Sequence, residues 1–328
     1  MSREVTGKGI DAGVAPLESG VDTRPASPSS LGLSAARRSS PAGDRSGKLV
    51  AGRYRVLDLL GRGGMGSVWL ALDRALARTV AIKEVTEYET TTPATPESPA
   101  LREARAASRV SHPGVVQVYD LVAWGGREWI VMEALSGTTL AQAIRLEGSL
   151  SVERVVDIGL RLLEALQALH REGVIHGDLK PSNVQLSGTG RPVLTDFGLA
   201  SGPRDAASGE HAYFGGSPPY MAPETVLTGT RSVASDLFSL GATLYEAAEG
   251  RRPFDKDSPI ATALAVLSDS PTPAVHGTPL GEVIDGLLIK DPHGRLSAQD
   301  AYARLKEIES EMIWLTPRSD SPVSATAC

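Results

Sequence analysis

The chain has 328 residues, of which 41% are hydrophobic and 22% are charged. This composition is too apolar for a wholly disordered chain and is typical of a soluble globular protein. The formal net charge of −6 excludes an overall attraction to nucleic acid, so we expect no nucleic-acid partner. We also expect no membrane span, because no run of 18 apolar residues occurs. The single cysteine, Cys328, suits a reducing compartment, which predicts a cytoplasmic protein.

Composition divides the chain into four segments. Residues 1–50 are rich in Ser, Pro, Gly and Ala and contain no aromatic residue. Such a segment cannot bury enough apolar surface to offset the entropy of ordering, so it is predicted to be a disordered tail. Residues 51–135 show the alternation typical of strands, and residues 136–314 show helical periodicity. We expect these two segments to form two lobes, followed by a flexible tail at residues 315–328.

A glycine-rich segment lies early in the strand-rich part. Gly61, Gly63 and Gly66, followed by Val68, would let the backbone approach phosphate groups closely and point N–H groups at them. A dinucleotide-binding fold needs a helix after the last glycine, whereas residues 67–72 alternate like a strand. The segment is therefore predicted to be the turn of a β-hairpin.

A lysine lies on the next predicted strand, in Ala81-Ile82-Lys83. Only seven of the 33 basic residues are lysine, and a compact ammonium group suits a crowded phosphate site better than a planar guanidinium does. A helix is predicted to begin near Pro99, and its Glu103 is expected to pair with Lys83. The alternatives are a solvated lysine at a strand end and a surface glutamate.

Helical periodicity is clearest between residues 151 and 173. Apolar residues such as Val155, Leu162 and Leu166 line one face, and charged residues occupy the other. Ser151 is predicted to cap the start of this helix, and Gly173 is predicted to stop it.

The densest group of polar side chains comes next, in His176-Gly-Asp-Leu-Lys-Pro-Ser-Asn183 and in Asp196-Phe-Gly198. Carboxylate and amide oxygens are ligands that Mg²⁺ prefers, and the same segments offer a base and a cation for a phosphate group. The alternative is a polar loop with ordinary Asx turns.

In their order along the chain, these segments resemble the motifs of the protein-kinase family, in particular the eukaryotic-like serine/threonine kinases of bacteria. The resemblance implies a bilobal α+β fold, with a small antiparallel-sheet N-lobe containing one main helix and a larger helical C-lobe. It also implies transfer of the γ-phosphoryl group of ATP, with Mg²⁺ or Mn²⁺, to serine or threonine hydroxyls of protein substrates. A signalling role, and self-association for autophosphorylation in trans, are further expectations.

The resemblance implies a catalytic role for four residues. Asp178 would accept or orient the proton of the substrate hydroxyl, and Lys180 would neutralise the γ-phosphate during transfer. Lys83, held by Glu103, would contact the α- and β-phosphates.

It also implies a set of ligand-binding residues. Asn183 and Asp196 would hold the metal ion. The residues expected to contact the nucleotide are Gly61, Gly63, Gly66, Val68, Ala81, Lys83, Met132, Glu133 and Leu135.

Other matching positions are expected to be structural. Glu224 and Arg295 match an ion pair of the helical lobe, and Asp236 matches a residue that supports the catalytic loop. Gly177 departs from the family pattern, because most members have arginine there, and that arginine usually pairs with a phosphorylated residue. We therefore expect activity that does not depend on phosphorylation through this contact.

The sequence allows two alternatives to a protein kinase, and Gly177 raises the first of them. The sequence His-Gly-Asp resembles the loop of small-molecule phosphotransferases of the aminoglycoside and choline kinase type. Those enzymes generally lack the Asp-Phe-Gly and Ala-Pro-Glu motifs, and this chain has both, at 196–198 and 222–224. An ATP-binding pseudokinase scaffold would lack at least one key polar residue, and all are present.

Overall fold

The computed structural model of the chain describes residues 46–63, 66–85, 99–196, 217–271, 274 and 277–315. In this part, an antiparallel sheet and one helix form an N-terminal lobe, and a mainly helical C-terminal lobe follows. The predicted bilobal α+β fold is confirmed. The segment boundaries and both tails stay predictions, since nearly all of the tails and residues 197–216 lie outside the described residues.

The N-terminal lobe contains a six-stranded sheet in which all neighbouring strands are antiparallel. Its strands, in spatial order, are β1 (Leu49–Val50), β2 (Tyr54–Gly63), β3 (Gly66–Asp73), β4 (Arg78–Val85), β6 (Arg127–Glu133) and β5 (Val118–Trp124). Gly63 of β2 pairs with Gly66 of β3, so the glycine-rich segment forms the predicted hairpin.

Alternation along the strands gives this sheet two buried faces. Val80 and Ile82 of β4 pack in an outer cluster with Trp129 of β6, whereas Ala81 and Val85 join the main core. Successive side chains of a strand point to opposite faces. Helix α1 (Pro99–Ser108) begins where a helix was predicted, and its buried alanines also join the main core.

The C-terminal lobe is built from helices and one small sheet. Its helices are α2 (Leu140–Glu147), α3 (Val152–Arg171), α4 (Pro223–Thr228), α5 (Val233–Glu249), α6 (Pro259–Ser268), α7 (Pro279–Leu287) and α8 (Ala298–Leu315). The small sheet contains β7 (Thr138–Thr139), β8 (Val184–Leu186) and β9 (Pro192–Leu194). No helix among the described residues is both long enough and apolar enough to cross a membrane.

Helix α3 matches the expectation from its sequence. Ser151 caps the helix by accepting a hydrogen bond from Arg154 N, and the helix ends at Arg171, two residues before Gly173. Its predicted apolar face is buried against α5 and α8. This packing fixes the end of α3, from which the chain runs directly to residues 174–183.

Backbone hydrogen bonds at Leu194 join the two lobes. Leu194 N donates to Gly114 O at 2.8 Å, and Val116 N donates to Leu194 O at 2.9 Å. The same buried core contains Met132 of the sheet and Leu163 of α3. The end of β9 is therefore held against the segment that connects α1 to β5.

Candidate active site

One face of the N-terminal sheet collects the side chains that were predicted to contact a nucleotide. Val68 pairs with Lys83, and Ala81 pairs with Met132, in adjacent strands. Val68, Ala81 and Met132 all pack in the main core. Since Lys83 lies two residues after Ala81 in β4, its side chain points to that same face.

The glycine-rich hairpin and the segment after β6 border this face of the sheet. Gly61 pairs with Val68, and Gly66 follows the hairpin turn. Glu133 N donates to Gln117 O at 2.9 Å, which fixes the chain just after the sheet. Leu135 is half-buried and packs on the main core.

An ion pair between Lys83 and Asp196 connects the two lobes at this face of the sheet. The Lys83 side chain is only 5% exposed, and its Nζ lies 2.7 Å from Asp196 Oδ1. Glu103 lies in α1 as predicted, but its side chain lies outside the described residues. Its pairing with Lys83 therefore stays a prediction.

Asp178 lies at the centre of a second polar cluster. Its Oδ2 accepts hydrogen bonds from Lys180 Nζ at 2.6 Å and from Asn183 Nδ2 at 3.1 Å. Asn183 Nδ2 also donates to Asp178 O at 2.8 Å. Lys180 Nζ reaches Ser217 Oγ at 2.8 Å. This geometry holds the Lys180 ammonium group within hydrogen-bond distance of both the Asp178 carboxylate and the Ser217 hydroxyl.

The Asn183 carbonyl connects this cluster to Asp196. Thr195 donates to Asn183 O through its backbone N at 2.9 Å and through its Oγ1 at 3.1 Å. Both hydrogen bonds of the Asn183 amide nitrogen go to Asp178. Asn183 Oδ1 accepts a long hydrogen bond from Ser182 Oγ at 3.5 Å, and its second lone pair could bind a cation. An amide oxygen such as that of Asn183 and a carboxylate such as that of Asp196 are ligand types that suit a divalent cation, which also takes oxygen atoms from bound phosphates.

Residues 176–183, the predicted catalytic loop, are supported by Asp236 of α5. The Asp236 carboxylate, 1% exposed, accepts hydrogen bonds from His176 N at 2.9 Å and Gly177 N at 2.8 Å. His170 Nε2 lies 2.7 Å from the same carboxylate. The expected supporting role of Asp236 therefore has a direct structural basis.

Two histidines contact this carboxylate, His170 through its ring and His176 through its backbone N–H. Neither could be assigned a role from the sequence, because a lone histidine has no diagnostic spacing. Burial lowers the pKa of His176, so its imidazole is neutral at pH 7. Its Nε2 lies 3.1 Å from Thr195 O, and its Nδ1 accepts from Asp178 N at 3.3 Å. A neutral ring with its proton on Nε2 satisfies both contacts. His176 thereby connects the backbone of the catalytic loop to the residue before Asp196.

The fold and the site define a protein of the kinase class, and comparisons with known proteins agree. A family model described as the protein kinase domain matches residues 54–304. The chain belongs to the protein kinase family.

Two bacterial relatives show the same likeness. The chain is 34% identical over 266 residues to serine/threonine-protein kinase PknA of Mycobacterium tuberculosis. This alignment covers 79% of this chain and 62% of PknA. It is also 33% identical over 269 residues to probable serine/threonine-protein kinase PknB of Lactococcus lactis. That alignment covers 81% of this chain and 42% of PknB. The chain thus spans about half the length of these relatives.

A solved structure shows the same fold. The crystal structure of Rad53 residues 1–466 in complex with AMP-PNP matches with a TM-score of 0.65 and 23% sequence identity. The match covers 77% of this chain and 64% of that chain.

Proposed function

We propose that this protein is a serine/threonine protein kinase that transfers the γ-phosphoryl group of ATP to serine or threonine hydroxyls of other proteins. The observation that carries the proposal is the arrangement of Asp178, Lys180 and Asn183 opposite Lys83 and Asp196. Each group matches a need of phosphoryl transfer, in which the protein positions the reactants and neutralises charge.

The nucleotide would lie against the sheet face formed by Val68, Ala81 and Met132, beneath the glycine-rich hairpin. Lys83 would contact the α- and β-phosphates, and its contact with Asp196 would keep the ammonium group in place. Asn183 and Asp196 would hold Mg²⁺ or Mn²⁺, which on binding supplies positive charge to the phosphates.

Asp178 would orient the attacking hydroxyl and accept its proton. Its Oδ2 is engaged by Lys180 and Asn183, so the other oxygen is the one that a substrate hydroxyl would approach. Lys180 would stabilise the negative charge that develops on the transferred group. Ser217, which binds Lys180, would hold that lysine in position.

Several wider properties belong to the same proposal. The relatives carry names of serine/threonine-protein kinases, which supports protein substrates over small alcohols or amines. Presence of Lys83, Asp178, Asn183 and Asp196 supports catalysis over a pseudokinase scaffold. Cytoplasmic location, a signalling role and self-association for autophosphorylation are proposed with it.

Replacement of Asp178 by asparagine tests this proposal. Asp178→Asn keeps the shape and the hydrogen bond from Lys180 but cannot take a proton, so we expect phosphoryl transfer to fall by about 100-fold or more. The measurement is incorporation of γ-phosphate label from ATP into the protein itself and into a basic protein substrate.

The controls separate folding from chemistry and one substrate class from another. The variant should keep the thermal unfolding midpoint of the unmodified chain within a few degrees. Unchanged transfer by Asp178→Asn would refute the role of this residue. Labelling of small alcohols or amines, but of no protein, would instead support a small-molecule phosphotransferase.

A further inference from the structure

Gly177, in the catalytic loop, lies directly against an arginine from another part of the chain. Its backbone has a φ of +71°, a left-handed conformation that favours glycine. A Cβ atom at this position would lie 2.9 Å from Arg231 Cδ, 3.1 Å from Nη1 and 3.3 Å from Nε. The Arg231 side chain therefore occupies the space in which a side chain of residue 177 would begin.

The backbone around Arg231 is fixed on both sides. Thr230 O, just before it, accepts a hydrogen bond from Thr225 Oγ1 at 2.7 Å. Ser232, just after it, caps helix α5 and exchanges hydrogen bonds with Ser235, at 2.8 and 3.2 Å. Arg231 is thus presented to the catalytic loop from a rigid helix start.

The same helix start also supplies Asp236, which binds the backbone N–H groups of His176 and Gly177. The loop backbone just before Asp178 is therefore held by the hydrogen bonds that it donates to Asp236 and by the packing of the Arg231 side chain. A glycine has more backbone freedom than any other residue, so the loop at this point needs constraints from its surroundings.

We propose that Arg231 is a positioning residue for the catalytic loop, acting through its packing on Gly177. This inference rests on the proposed function, because Arg231 would act by keeping the Asp178 carboxylate in the orientation needed for transfer. Residue 177 has no side chain of its own, and Arg231, just before α5, occupies the space in which one would begin.

Kinetics of Arg231 variants test the inference. Arg231→Ala removes the packing, and a small misplacement of a catalytic group costs up to about 100-fold in rate. We expect kcat to fall by about 10- to 100-fold, with the KM for ATP changed by less than about twofold. Arg231→Lys keeps the aliphatic stem and the charge and should retain most of the activity. Arg161→Ala is the matched control, because Arg161 pairs with Asp157 on the exposed face of α3.

Hydrogen exchange provides a readout that needs no activity. Arg231→Ala should speed amide exchange in residues 174–183, whereas Arg161→Ala should not. Unchanged kcat and unchanged exchange in Arg231→Ala would overturn the inference. If the unmodified chain transfers no phosphate, the proposed function fails, and the exchange comparison still tests the contact between Arg231 and Gly177.

A double-mutant cycle between Gly177 and Arg231 provides a second test, with Arg231→Ser as its background if Arg231→Ala is too unstable for kinetics. Gly177→Ala should lower kcat in the unmodified chain, because the new methyl group meets Arg231 and because the positive φ of residue 177 disfavours a side chain. Its further effect in an Arg231→Ala or Arg231→Ser background should be at least about threefold smaller, since the clash is removed. Independent, additive losses would overturn the inference.

Discussion

Asp196 has a φ of +59°, in the left-handed region that residues other than glycine rarely adopt. In this conformation its carboxylate reaches Lys83, which lies in the other lobe. Backbone strain of this kind persists only where neighbouring contacts fix it, and it is common at active sites. Here Thr195 supplies those contacts through its two hydrogen bonds to Asn183.

The contact between Lys83 and Asp196 leads to a prediction for Lys83→Met. Methionine fills a similar volume without the charge, so the fold should persist while the phosphate contact is lost. Loss of one preorganised charge-stabilising group costs about 100- to 1000-fold in kcat, and we expect a loss of that size. The measurement is the initial rate of labelling at saturating ATP.

Lys48→Met is the matched control for this prediction. Lys48 is exposed and lies just before β1, so its replacement should change the rate by less than about twofold. Equal rates in Lys83→Met and Lys48→Met would contradict the assigned role of Lys83.

At the scale of elements, the outer end of the N-terminal sheet is held by a charge cluster. Arg53, just before β2, donates to both carboxylate oxygens of Asp73, at 2.8 and 2.7 Å. Asp73 is 1% exposed and ends β3. Tyr54 donates to Asp120 of β5 at 2.7 Å. These bonds connect three strands at the end of the sheet away from the hairpin.

The Arg53 guanidinium lowers the pKa of Asp73 to about 2, against an ordinary value of 3.8. A carboxyl group whose pKa is lowered on folding stabilises the native state above its unfolded pKa, and this contribution is lost as the pH falls through its folded pKa. We expect Asp73→Asn to lower the free energy of unfolding at pH 7 by about 2 kcal/mol. The difference should shrink as the pH falls from 4 to 2.

Urea unfolding at a series of pH values measures this effect. Asp58→Asn is the control, since Asp58 is an exposed residue of β2, and its replacement should change stability by less than about 0.5 kcal/mol. An acid dependence of Asp73→Asn equal to that of the unmodified chain would contradict the assignment.

At the scale of the whole molecule, one buried arginine joins distant parts of the C-terminal lobe. Arg295 donates to both oxygens of Glu224, at 2.7 and 3.0 Å, and to Ala234 O at 2.6 Å. It also binds the carbonyl groups of Ile289 and Lys290. The expected ion pair is confirmed, and it connects α4, α5 and the segment before α8. The same contacts help to fix the start of α5, which carries Asp236.

Breaking this ion pair should be costly, because one charge would remain in a largely buried site. We expect Arg295→Met to lower the free energy of unfolding by about 3 kcal/mol. The double variant Arg295→Met/Glu224→Gln should lose less than the sum of the two single variants, since neither charge then remains. Urea unfolding of the four proteins measures this coupling, and simple additivity would argue against a shared ion pair.

Much of the molecule could be predicted from local patterns. The hairpin at Gly63 and Gly66 follows from glycine spacing and strand alternation, and the helix after Ser151 follows from a cap and a 3.6-residue period. The polar residues of the site could be found because their motifs are short and occur in a fixed order. Arg231 gave no such signal, since its contact with Gly177 joins positions 54 residues apart.

The amino-acid sequence by itself determined the strand-rich and helix-rich lobes, the scarcity of lysine and the identity of the polar groups at the site. Composition and short motifs can be counted directly in the sequence. The strands and helices of the two lobes depend on near neighbours along the chain, where backbone geometry sets which side chains share a face. Only the tertiary structure decided which groups meet: Lys83 with Asp196, Asp236 with the loop at His176, and Arg231 with Gly177. Such contacts depend on how packed helices and strands bring distant residues together, and no local period records them.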